Sequence, residues 1–86
     1  MQAGDPRADP RLVDLVELAG LWLAAGEWPA LVWTLRQVVE ELAQRFPDEE
    51  SLRERFDRLL TLSQRAERGE VSADEVRRGY RRATLG

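Results

Sequence analysis

The residues of this chain that can carry chemistry are carboxylates, arginines, three serines, three threonines and one tyrosine, because the sequence contains neither Cys nor His. That composition removes thiolate nucleophiles, disulfides, Cys/His zinc sites and the commonest general base. The acidic pairs Glu40-Glu41 and Glu49-Glu50 come nearest to a cation site or an acid-base couple. Adjacent residues on a helix point about 100° apart, however, and no second acidic cluster or Gly-bearing ligand loop accompanies them. They read as solvated or capping acids. Ser51 falls in a first helical turn, Ser63 on an apolar stripe and Ser72 at a cap, none with a basic partner to activate it. Phosphate-loop and dinucleotide fingerprints are absent. The expectation is a chain that is not an enzyme, with no cofactor, no metal and no evident small-molecule substrate.

Two groups of side chains point to binding instead. Arg77, Arg78, Arg81 and Arg82 stand at helical spacing and cover about 140° of helix opposite Val76, Tyr80 and Ala83. They predict a basic face, for which the plain alternative is a solvated surface with Asp74 paired to Arg77 or Arg78. Charge is unevenly spread: residues 37–57 hold seven acidic and three basic residues, net -4, whereas residues 76–86 hold four basic and no acidic ones, net +4. An acidic protein surface therefore suits the Arg face better than nucleic acid, since an overall charge of -3 opposes the phosphate contacts that supply most non-specific affinity. Nucleic-acid binding through the last helix is the alternative function.

The second group is apolar. Trp22 lies on the main stripe of the first helix with Leu12, Leu15, Val16, Ala19 and Leu23, and Trp28 sits in a turn beside Pro29; core and turn packing account for both. Trp33 falls about 100° beyond the apolar arc of its helix, among Gln37, Glu40 and Gln44. Leu18, Leu21 and Ala25 likewise form a patch off the main stripe of the first helix. Counted back from the turn, Leu18 and Leu21 reach the height of Trp33, so the three predict one surface, covered either by a later helix or by a partner.

The elements that must position these residues are helical throughout. Asp9-Pro10 is an N-cap and first-turn pair, opening a helix that Gly26 ends near Ala25. Pro29 opens the second helix after a very short connection, which predicts an antiparallel hairpin. Leu31, Val32, Leu35, Val38, Val39, Leu42, Ala43 and Phe46 make its apolar arc, and Pro47 stops it. Asp48 is the expected cap of a third helix striped by Leu52, Phe56, Leu59, Leu60, Ser63 and Ala66, with Glu49–Arg53 and Glu54–Arg58 as i,i+4 pairs and Gly69 as its stop. Ser72-Ala73-Asp74-Glu75 is a capping box, with Val71 and Val76 as a hydrophobic staple, starting a short fourth helix. No strand pattern occurs. Residues 1–8 read as a flexible tail and 9–86 as one small all-α, four-helix domain: a hairpin, a third long helix and a short last one.

The hairpin loosely resembles a tetratricopeptide unit, with Gly26-Glu27-Trp28 at its turn and Pro47 ending its second helix. It departs from that repeat in a longer second helix, in Leu31 where a small residue is usual, and in residues 48–86, which do not repeat the pattern. The resemblance implies no binding residues. The overall expectation is a non-catalytic protein-protein interaction module, such as an accessory subunit, adaptor or inhibitor-like partner, binding another protein or a second copy of itself. The longest apolar stretch, Leu12 to Ala25, carries Asp14 and Glu17 and is too short for a bilayer, and no leader pattern precedes it, so no membrane partner and a cytoplasmic location are expected. Thirteen Arg with no Lys, Ile or Asn suggest G/C-rich coding of the bacterial or phage kind.

Overall fold

Capping and breaking residues divide the chain where their chemistry requires. In the computed structural model, which describes residues 4–85, the helices are α1 (Pro10–Ala25), α2 (Trp28–Arg45), α3 (Glu50–Glu67) and α4 (Ala73–Leu85). No strand occurs among the described residues. The Asp9 carboxylate accepts the Leu12 amide at 3.1 Å and so caps α1. Both glycine stops are Schellman motifs. Gly26 and Gly69 take φ of +70° and +77°, and the amides that follow, Glu27 and Glu70, reach back to the carbonyls of Trp22 and Arg65 at 2.9 and 2.8 Å. Only a residue without Cβ takes that conformation at no steric cost.

Four local expectations are corrected. Asp48 does not cap α3: Phe46-Pro47-Asp48-Glu49 closes a tight turn, the Glu49 amide donating to the Phe46 carbonyl at 3.0 Å. Proline suits the second position of such a turn, and this leaves Asp48 one residue too early, so Glu49 becomes the cap position with no side-chain bond. The two i,i+4 pairs expected on α3 are not among its ion pairs; Arg65 and Arg68 instead meet Glu70 in the following turn, at 3.4 and 2.8 Å. At α4 the Ser72 hydroxyl accepts the Glu75 amide at 3.3 Å, whereas the return arm from the Glu75 side chain is not formed. Residues 6–8, assigned by composition to the tail, form a 3-10 turn with Pro6 buried; residues 1–3 and 86 lie outside the described residues.

Successive helices pack as neighbours, and α4 returns to touch α1 more lightly, closing a four-helix bundle. α2 is central. Leu31, Leu35, Val38 and Leu42 are fully buried, and Leu12, Ala19, Leu23, Leu52, Phe56, Leu59, Val76 and Ala83 complete the core from the other three helices. Trp22 and Trp28 pack half-buried against it, whereas Ala43 is exposed. Thr34 and Ser63 are also buried, each satisfied by the carbonyl one turn back, Ala30 and Leu59, at 2.8 Å. A short hydroxyl that returns to its own helix in this way fills a core position without leaving an orphan polar atom.

Candidate interaction surfaces

The hairpin is held in register by charge as well as by its apolar face. Arg45 forks onto Asp9 at 2.5 and 3.1 Å and also meets Glu41 at 3.2 Å, while Glu41 accepts from Arg11 at 2.8 Å. The hydrogen bonds from Arg45, followed by that from the Leu12 amide, hold the Asp9 carboxyl below the ordinary aspartate range. These contacts place residue 9, the cap of α1, opposite 45 of α2, and residue 11 of α1 opposite 41. Counting inward, Leu18 and Leu21 then lie level with residues 35 and 32, which brackets Trp33.

Helical rotation places each of the three away from the buried stripe of its own helix. Arg11 and Leu18 are a whole number of heptads apart, so Leu18 shares the outer edge of α1 that Arg11 occupies beside α2. Leu21 and Trp33 lie on the outward backs of the two helices. Leu21 is 67% exposed and Trp33 59%, while Leu18 is half-buried. α4 covers the opposite flank of α1. There Tyr80 lies over Gly20, and its hydroxyl donates to the Val16 carbonyl at 2.8 Å. Burial, with the charge of Glu17 adding to it, raises the phenol above its ordinary value, because both disfavour the phenolate. The later helices therefore leave Leu21 and Trp33 uncovered.

Arg77, Arg78, Arg81 and Arg82 are all exposed, on the side of α4 away from its buried Val76, Gly79 and Ala83, and they have different neighbours. Arg77 is engaged by Asp74 at 2.6 Å. Arg77 and Arg81 border a shallow hollow towards α1 beside Gly20 and Tyr80. Arg81 and Arg82 also border a groove towards α3, where Arg55 and Arg58 join them. Those two were missed in the sequence because they belong to a different helix, and only the antiparallel packing of α3 on α4 brings them alongside.

One further opening exists at the end of the bundle closed by Pro6, an apolar hollow of about 170 Å³ among Leu12, Val16, Leu42 and Phe56, with Arg7, Glu17 and Thr84 as its polar members. The rest of its lining is apolar. Among the described residues no three Asp or Glu side chains converge as a metal-binding group, and no helix is long and apolar enough to cross a membrane. Comparison with protein families, curated proteins and solved structures returns no match.

Proposed function

We propose that this chain is a non-catalytic protein-protein interaction module that docks through Leu18, Leu21 and Trp33 on a second copy of itself or on another protein. The observation that carries the reading is that two large apolar side chains of the α1–α2 hairpin, Trp33 and Leu21, stand open to solvent. A tryptophan presents roughly 150–250 Å² of surface. With 59% of Trp33 exposed, covering it removes on the order of 100 Å² or more from water, roughly 3 kcal/mol before association costs. Tryptophan is among the side chains enriched where interface energy concentrates. The reading also takes the chain, of net charge -3, as a protein of a bacterium or phage, on the strength of residue usage: thirteen Arg, with no Lys, Ile or Asn.

Sedimentation velocity across a wide concentration range tests the proposal. The expected result is reversible dimerisation that Trp33→Glu abolishes, with helicity unchanged, and with the melting temperature unchanged at concentrations low enough that the wild type is monomeric, because the side chain is outside the core. A wild-type chain that stays monomeric at every concentration, and whose stability falls with Trp33→Glu, overturns self-association through this face.

A further inference from the structure

We propose that the groove between α3 and α4 binds an acidic, amphipathic peptide segment of a partner protein. This surface is separate from Leu18, Leu21 and Trp33, so the proposal does not depend on the interface there. The groove begins with Gly79. A Cβ at that position would lie 3.1 Å from a Leu62 methyl and 3.4 Å from a Leu59 methyl, so its absence lets the α4 backbone settle directly onto α3 and leaves an apolar floor. Arg55 and Arg58 rise from α3 on one side, and Arg81 and Arg82 from α4 on the other, around a volume of about 580 Å³. No acidic residue lines it.

None of these four arginines belongs to an ion pair among the described residues, whereas Arg65 and Arg68 meet Glu70, and Arg77 meets Asp74. Four like charges gathered around one depression raise its positive potential, and low-dielectric walls concentrate that field. Carboxylates are the natural counter-charge, since the guanidinium fork accepts them in bidentate geometry. Leu85 stands at the mouth, 83% exposed. A large apolar side chain among cations asks for an occupant with an apolar group next to its acids.

This combination separates the occupants. Phosphodiesters cannot use the apolar floor, and no aromatic ring lines the groove for bases to stack on. A bilayer is a poor fit to a concave surface from which only Leu85 projects, because the apolar face of α4 is already spent on the core. Arg55 to Leu62 spans roughly two helical turns, a length matched by a short peptide carrying a few acids around one or two apolar side chains.

The test is selection of random dodecapeptides by display on the full chain, with the Arg58→Glu/Arg82→Glu variant as the counter-selection, followed by fluorescence polarisation on the enriched peptides. The expected consensus pairs acidic residues with a large apolar one. Affinity should drop roughly tenfold or more in Arg58→Glu/Arg82→Glu, drop measurably in Leu85→Ser, and stay unchanged in Trp33→Glu. All of these side chains are exposed, and melting curves confirm that each variant is folded. Failure to enrich acidic peptides overturns the proposal, as does equal binding to the charge-reversed variant. So does preference for a DNA oligonucleotide, or for vesicles of mixed neutral and anionic phospholipid, measured side by side with the peptides.

Discussion

Replacing Gly20 with alanine should destabilise the domain, although the same change in the middle of a solvent-exposed helix normally stabilises it. Gly20 lies in the interior of α1, where alanine is favoured over glycine by about 1 kcal/mol. A Cβ there would stand 2.7 Å from the Tyr80 hydroxyl oxygen and 3.2 Å from the ring carbon that bears it. Both are too close, so Tyr80 must move. Its hydrogen bond to the Val16 carbonyl is then lost or bent, at about 1 kcal/mol, and displacing a packed ring adds roughly 1–3 kcal/mol. The net cost is about 1–3 kcal/mol, which for a domain of this size lowers the melting temperature by roughly 4–20 °C. Thermal and urea denaturation followed by circular dichroism measures it. The decisive comparison uses a Tyr80→Leu background, whose shorter side chain ends before the clashing atoms. There Gly20→Ala should reverse sign and stabilise by up to about 1 kcal/mol. An equal destabilisation in both backgrounds would refute the close approach of Tyr80 to Gly20 as the reason for the glycine.

Ser72→Ala should destabilise the protein by about 1 kcal/mol, because the hydroxyl accepts the Glu75 amide, while Glu75→Ala should change little, since the return arm of the box is not formed; denaturant melts of both distinguish a single cap from a reciprocal one. Asp9 has its carboxyl held below the ordinary value, first by the Arg45 hydrogen bonds and then by the Leu12 amide. The stability it contributes is therefore present above the unfolded value of about 4 and lost as pH falls through the lower folded value. Asp9→Asn keeps a capping oxygen but removes the charge, so its melting temperature should fall less than that of the wild type in melts taken at a series of pH values below about 4.

The helices were legible because their signals are local. Asp9-Pro10, Gly26, Pro47 and Gly69 act within a turn of their own position, and all four appear where their chemistry places them. Asp48 failed as a cap for an equally local reason: Pro47 commits the backbone to a turn, and the turn shifts the cap by one residue. Thr34 and Ser63 show the limit of polarity as a guide to burial. Ser63 was visible because it continued an apolar stripe, whereas Thr34 lies at the edge of the α2 arc and reads as polar until its hydroxyl is seen bonded to Ala30.

By itself the sequence determined an all-helical chain, the approximate extent of each helix, the antiparallel hairpin, the off-stripe positions of Leu18, Leu21 and Trp33, and the concentration of arginine on the last helix. All of these follow from residue periodicity and from short-range capping, which a single helix defines without reference to its neighbours. Only the tertiary structure decided that α4 packs on the Gly20 flank of α1 and leaves Trp33 and Leu21 in the open. It also decided that Arg45 joins Asp9 to Glu41, and that Arg55 and Arg58 meet Arg81 and Arg82 around one groove. The reason is geometric. Periodicity fixes where a side chain stands around its own axis, but the rotation and register of one helix against another depend on how their apolar surfaces interlock. Here two glycines set those distances: Gly20 admits the Tyr80 ring and Gly79 admits the Leu59 and Leu62 methyls.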